Sequence, residues 1–173
     1  MGYKIKIASV IDDSIVDGPG IRMTVFFQGC SHGCEGCFNK ETWDFNGGHY
    51  CDVEDIYKAA MNNPLLDGIT LSGGDPIYQV KGALELVKLF ENTPLNIFVY
   101  TGFTFEELLE ISKNNEDLQA FLEKIDYLVD GKFDITKKDI SLRFRGSSNQ
   151  RIIDVKNTLK VMKFKPNRIV ILQ

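Results

Sequence analysis

The chain has no long hydrophobic run. Its longest apolar stretches, such as IFVY and IVIL, fall far short of the about 20 residues a membrane-crossing helix needs. No membrane partner is therefore expected. The opening segment MGYKIKIASVIDDS lacks the apolar core of a secretory signal. Neither sign of charge is in excess: the net charge is −4, with 25% charged residues among 173. That balance gives no electrostatic reason to expect nucleic acid or an anionic surface as partner. Histidine is scarce, at two residues, and no nucleophile–base pair stands out. Repeats, low-complexity tracts and linker-like stretches are also missing, which predicts one domain over residues 1–173. A cytoplasmic location follows as the expectation. In that compartment disulfides are rare, and clustered cysteines more often bind metal or act in catalysis.

Cysteine is rationed to four, yet three of them share one short loop. GCSHGCEGCFN, residues 29–39, places Cys30, Cys34 and Cys37 at C-x3-C-x2-C spacing. Ahead of it, RMTVFFQ (22–28) is rich in β-branched and aromatic residues and predicts a strand running into the loop. Beyond it, CDVEDIYKAAMNN puts Val53, Ile56, Tyr57 and Ala60 on one helical face, with Asp52 as N-cap and Glu54 and Asp55 at the positive end of the dipole. GITLSGGD predicts a second strand, followed by a helix carrying Val80, Ala83, Leu84 and Val87. LNIFVYTG is the next strand, and TFEELLEIS opens with a capping box from Thr104 to Glu107. NEDLQAFLEKI reads as a helix, DYLVDG as a short strand and NRIVILQ as the last one. The segment from Phe133 to Ser148 has mixed signals; DISLRFRG within it suits a strand or an ordered loop.

Strands and helices alternate through short connections, and the strands are near-continuous apolar runs. This pattern predicts an α/β fold with parallel strands buried on both faces. Successive strands end in residues suited to ligands rather than to a core: Cys30, then Ser72-Gly73-Gly74-Asp75, then Thr101-Gly102, then Asp130-Gly131. Sites in parallel α/β folds form at the carboxyl ends of strands. The four ends are therefore expected to converge on a small-molecule site beside the cysteine loop.

Two metal readings fit the thiols. Structural zinc wants four protein ligands, and Cys51, His32 or His49 could complete a set. Iron–sulfur clusters are likewise held by four cysteines as a rule. If Cys51 is a bystander, three thiolates leave one iron of a cubane cluster open to a substrate or cofactor.

The C-x3-C-x2-C loop after a first strand and the Gly-Gly-acid motif after the second resemble the radical S-adenosylmethionine (SAM) enzymes. VDGPGIR (16–22) looks like the signature of activases that install glycyl radicals. NKETWDFNGG, LSGGDP, VYTGFTFEEL, LVDGKF and RGSSNQRIIDV resemble the anaerobic ribonucleoside-triphosphate reductase activating proteins, over about residues 10–156. The resemblance implies a single radical SAM domain, built as a partial, open TIM-like barrel of βα units, since a closed barrel takes about 250 residues. It also implies that Cys30, Cys34 and Cys37 ligate a [4Fe–4S] cluster whose fourth iron chelates the amino and carboxylate groups of S-adenosyl-L-methionine. Gly73, Gly74 and Asp75 match the Gly-Gly-Glu motif that meets the SAM amino group, Gly36 and Phe38 bracket the ligand where adenine rests, and Thr101 ends the strand that contacts ribose or methionyl. The implied reaction is reductive cleavage of SAM to a 5′-deoxyadenosyl radical, which takes hydrogen from a glycine near the C-terminus of the reductase. A flavodoxin or ferredoxin is the implied electron donor.

Besides its length, too short for a complete barrel, the chain departs from the family pattern at two residues. Gly36 stands where many radical SAM enzymes carry an aromatic residue, and Asp75 is one methylene shorter than Glu. Rival readings are a pyruvate formate-lyase type activase, a carboxy-deazaguanine synthase, or an iron–sulfur electron carrier. Several residues carry both a structural and a functional reading. Trp43, Phe45, Tyr78 and Phe103 suit a core or a partner surface; Arg143, Arg145 and Arg151 suit solvated ion pairs or a SAM-side or partner-docking role; Asp130 suits a strand end or the site floor. His32 lies in the loop outside the ligand spacing, as a loop residue or a support for the ligands.

Overall fold

A computed structural model describes residues 2–172. Eight strands form one sheet: β1 (Lys4–Ser14), β2 (Arg22–Phe27), β3 (His49–Asp52), β4 (Gly68–Gly73), β5 (Asn96–Tyr100), β6 (Tyr127–Asp130), β7 (Arg151–Asp154) and β8 (Ile171–Leu172). Their order across the sheet is β3-β1-β2-β4-β5-β6-β7-β8. The four central strands β2, β4, β5 and β6 are mutually parallel. They are the four whose apolar runs and ligand-bearing ends stand out in the sequence. The expectation of parallel strands throughout is corrected at both flanks, where β1 and β3 pair antiparallel on one side and β7 and β8 on the other. The predicted last strand shrinks to Ile171–Leu172; Gln173, at its end, lies outside the described residues, as does Met1.

Five helices complete the fold: α1 (Val53–Met61), α2 (Val80–Lys88), α3 (Phe105–Ser112), α4 (Glu116–Lys124) and α5 (Val155–Met162). The capping box at Thr104 forms in full, with Glu107 N–H on the Thr104 hydroxyl and Glu107 carboxylate on the Thr104 N–H. Asp52 does sit at the N-cap of α1, but its carboxylate makes no cap bond; the Val53 N–H goes to the Tyr3 carbonyl instead. The 133–148 segment is a loop with one short 3₁₀ turn, Ile135–Lys137, and a single bridge from Lys138 to Ser147.

The two faces of the central sheet differ. Met23, Val25, Phe27, Ile69, Leu71, Ile97, Val99 and Leu128 alternate onto one face and join buried residues of α1–α4 in one large core. The other face carries Arg22, Thr24, Thr70 and Ser72 with a small aromatic cluster of Phe98, Tyr100, Tyr127 and Phe144. Arg22 sits at the amino ends of the strands and is 0% exposed. Its guanidinium donates to the Thr70 hydroxyl at 2.7 Å and to the carbonyls of Pro19, Ile69 and Asn96 at 3.0–3.2 Å. Burial lowers its pKa to about 10. The DGPGIR signature thus closes the amino-terminal pole of the sheet, opposite the cysteine loop.

Candidate iron–sulfur and SAM site

The parallel register aligns the carboxyl ends of the central strands, with Phe27 opposite Gly73. One small cavity of about 100 Å³ opens beyond them. Cys30, Cys34 and Cys37 line it together with Gly74, Thr101, Gly102 and Gly131. All four strand ends singled out in the sequence therefore contribute to a single site. Trp43, Tyr100, Phe133 and Gln150 also line it. All four fall within segments whose resemblance to the activating proteins stands out in the sequence, NKETWDFNGG, VYTGFTFEEL, LVDGKF and RGSSNQRIIDV.

The loop is tied to the body at its entry, where Gly29 N–H and Cys30 N–H donate to the carbonyls of Thr42 and Trp43 at 2.7 and 3.1 Å. Farther on, Cys37 N–H donates to the Cys34 carbonyl at 3.2 Å. All four cysteines are free thiols. Burial pushes the Cys30 thiol up from 9.0 to about 11, with the nearby Asp75, Cys34 and Cys37 adding to the effect. The Cys34 thiol is raised for the same first reason, then by Cys37. A raised thiol is a poor nucleophile, which disfavours a catalytic cysteine reading. A bound cation would reverse that penalty, since a coordinating thiol is deprotonated outright. Among the described residues no group of three His, Cys, Asp or Glu side chains is already drawn together as a metal cage. The donor set nevertheless fits an iron–sulfur cluster: three soft ligands line one cavity. Cys51 is elsewhere, on β3 at the sheet edge, half-buried with its sulfur toward the Asp52 carbonyl. His49 is exposed on the same strand. Neither lines the thiol cavity.

Gly73 and Gly74 fill a position that tolerates nothing larger. Gly73 has φ +91, and a Cβ there would lie 2.5 Å from the Phe27 nitrogen; one on Gly74 would lie 2.4 Å from the Gly29 carbonyl oxygen. The cysteine strand and the Gly-Gly turn are thus in backbone contact. Asp75 is 1% exposed, and its carboxylate is already fully engaged. It accepts from the Thr101 hydroxyl (2.9 Å), Gly102 N–H (2.9 Å), Ile77 N–H (3.0 Å) and the His32 ring (2.7 Å).

Gly36 adopts φ +76 in the loop. Phe38 is 65% exposed and does not line the cavity; its ring is tilted against Phe133 at 5.3 Å with the Lys138 ammonium over it. Phe45 and Phe103 both pack on Tyr78, at 5.4 and 5.7 Å, and Phe45 and Tyr78 remain exposed. Arg151 bridges Asp130 and Glu106, and Asp130 also caps Phe105 N–H at 2.8 Å. Arg145 donates to the Gln150 carbonyl, and Arg143 lies over the Phe144 ring.

Comparison with known proteins adds identity to this geometry. Residues 16–153 match the family described as 4Fe-4S single cluster domain. The anaerobic ribonucleoside-triphosphate reductase-activating protein of Vibrio cholerae is 39% identical over 146 residues, covering 80% of this chain and 90% of that one. Its namesakes in Salmonella typhimurium and Escherichia coli K12 are each 42% identical over 144 residues, covering 79% and 90%. Among solved structures, QueE from Escherichia coli aligns with a TM-score of 0.46 at 18% identity, over 58% of this chain and 53% of that one. The matched span runs from the DGPGIR turn through the thiol loop, the Gly-Gly turn and the 131–150 loop, so every wall of the cavity falls inside it. The chain belongs to the anaerobic ribonucleoside-triphosphate reductase-activating protein family.

Proposed function

We propose that this chain is a radical SAM activase that places a glycyl radical on an anaerobic ribonucleoside-triphosphate reductase. The observation that carries the reading is the convergence of three free thiols and three further strand ends on one cavity. When bound, a [4Fe–4S] cluster with S-adenosyl-L-methionine supplies one-electron cleavage of the sulfonium and the resulting 5′-deoxyadenosyl radical. The chain's own part is holding, orienting and sheltering. Cys30, Cys34 and Cys37 hold the cluster; the Gly73-Gly74 backbone admits the methionyl end closely; Gly36, Phe38 and Thr101 border the nucleoside. Asp75 acts on SAM through the backbone it positions, because its own oxygens are occupied.

Among the described residues the sheet ends at β3 and β8, and the large core with its helices lies on one face of the central strands. Both features support a partial, open barrel serving as one radical SAM domain. The open side suits a substrate that is a loop of another protein, here the C-terminal glycine loop of the reductase. A flavodoxin or ferredoxin would deliver the electron, and a cytoplasmic setting accords with free thiols and with no helix among the described residues long and apolar enough to cross a membrane.

The test is anaerobic reconstitution with iron and sulfide, followed by dithionite and SAM. Cluster-dependent 5′-deoxyadenosine, lost in Cys34→Ala, and a glycyl radical EPR signal on added reductase are the expected results. A loaded, reducible cluster that never cleaves SAM with reductase present would move the protein to the electron carriers.

A further inference from the structure

His32 lies between the first two thiols, outside the ligand spacing, yet its side chain is 7% exposed. It lines the thiol cavity and turns in towards the body. Its ring packs edge-on against Phe103 at 4.7 Å and tilted against Tyr78 at 5.7 Å. It also lies close against Gly102, where a Cβ would come within 2.5 Å of the ring. Its Nε2 meets the Asp75 carboxylate at 2.7 Å, across 43 residues of sequence. An acceptor-only carboxylate puts the ring proton on Nε2.

Past the backbone bonds of Gly29 and Cys30, residues 31–33 have one other side-chain bond to the body. Gly33, the next residue, has φ +65 and no atom within 4 Å of where a Cβ would stand. Ser31 adds one exposed hydroxyl contact to Tyr78 at 2.6 Å. Asp75, by contrast, is held at both oxygens, by Thr101, Gly102 and Ile77.

We propose that His32 and Asp75 form a positioning pair that sets the Cys30–Cys34 limb of the thiol loop at a fixed distance from the Gly73-Gly74 and Thr101-Gly102 backbone. This rests on the radical SAM reading and deepens it. The cluster is anchored on one wall of the cavity and SAM on the others. The pair is the side-chain bolt joining those walls, much as partners behind metal ligands orient them and shift metal affinity by roughly 10–100-fold. Asp75 therefore serves the site by holding a histidine of the cluster loop.

Four substitutions separate the hydrogen bond from its surroundings. His32→Phe keeps the ring packing and removes the donor; His32→Gln keeps an N–H at the same reach; His32→Ala removes both; Asp75→Asn removes the charge. Reconstituted holoproteins are compared for iron content, for the change that SAM produces in the EPR spectrum of the reduced cluster, and for the KM and turnover rate of SAM cleavage. His32→Phe should bind a full complement of iron, show a diminished SAM-induced spectral change, and raise KM for SAM roughly tenfold, the loss expected for one hydrogen bond to a charged group. His32→Gln should recover most of both. In an Asp75→Asn background, His32→Phe should add little.

If His32→Phe matches the unmodified protein in spectrum and KM, the proposal is overturned. It is equally overturned if His32→Ala is impaired while His32→Phe is not, since packing alone would then be at work. Should His32→Ala fail to hold iron, rescue by His32→Gln supports the pair and failure of rescue refutes it. The unmodified protein keeps the two readings apart: absence of 5′-deoxyadenosine there defeats the activase reading, whereas activity there with indifferent variants defeats only the pair.

Discussion

The two poles of the central sheet are each organised around one buried charge, and the charges have opposite sign. At the amino-terminal pole the Arg22 guanidinium gathers oxygens from the 17–21 turn, β4 and β5. At the carboxyl pole the Asp75 carboxylate gathers donors from the thiol loop, the turn after β4 and the end of β5. Both act as knots that tie neighbouring strands together. Arg22 is boxed in so closely that a Cβ on Gly68 would lie 2.4 Å from its Nη2, and its partners include no thiol. Asp75 shares its partners with the cavity wall. The same device, a buried ion saturated by hydrogen bonds, maintains the fold at one end and shapes a reactive site at the other.

The largest expected effect lies at the carboxyl pole and concerns chemistry alone. Cys34→Ala should abolish 5′-deoxyadenosine formation while leaving the thermal unfolding midpoint of the cluster-free protein unmoved, because the thiol is only half-buried and sits on a loop outside the core. A fall in that midpoint would blur the distinction between the poles. The converse is Arg22→Met, which removes the buried donor to the Ile69 and Asn96 carbonyls and to the Thr70 hydroxyl; it should cost roughly 3 kcal/mol or more of stability, measured by urea unfolding of the cluster-free protein. Unchanged stability would show that Arg22 is not the knot described.

Thr101→Ala should behave as an intermediate case, since its hydroxyl donates to Asp75 and the residue lines the cavity. A loss of about 1 kcal/mol in stability together with a raised KM for SAM is expected, and an effect on only one of the two would break the link between knot and wall. The thiols supply a pH test. With its pKa raised from 9.0 to about 11, Cys30 in the cluster-free protein stays protonated at neutral and mildly alkaline pH. Its alkylation by iodoacetamide, followed by mass spectrometry, should lag behind a free thiol there and accelerate as pH rises towards about 11. Rapid labelling in mildly alkaline buffer would contradict the buried setting. The smallest effect is at Cys51, where Ser should change neither iron content nor product, and stability by no more than about 0.5 kcal/mol; loss of the cluster would make it the fourth ligand.

The parts of this molecule legible in the sequence share a physical cause. β2, β4, β5 and β6 are buried on both sides, so their composition alone marks them, and their polar ends break that pattern visibly. The Thr104 capping box is likewise a local signal, and it forms as read. The flanking strands are hidden because pairing rather than composition makes them strands. β3 is His-Tyr-Cys-Asp, with no apolar alternation, and exists through its register with Lys4–Ile7. β1 mixes Lys4, Lys6, Asp12 and Asp13 with its apolar residues and is interrupted by register shifts. Helix α5 does carry a readable signal: Asp154 as N-cap, then Val155, Leu159 and Met162 on one face. At the site, the thiols and glycines announce themselves by spacing. His32 does not, since its partner is 43 residues away and a lone histidine in a loop has no pattern to read.

The cavity also has a history in time. Cys30 and Gln150, which face it from either side, lie far apart along the chain. A ribosome making roughly 5–20 residues per second therefore leaves the thiols bare for many seconds before their last wall exists. A chain halted after α2 would carry every cysteine and none of Tyr100, Thr101, Gly131 or Gln150 to shelter them. Assembly of a cluster that oxygen destroys is therefore a task for the finished chain, and the long interval before completion is when this protein is most exposed to oxidation.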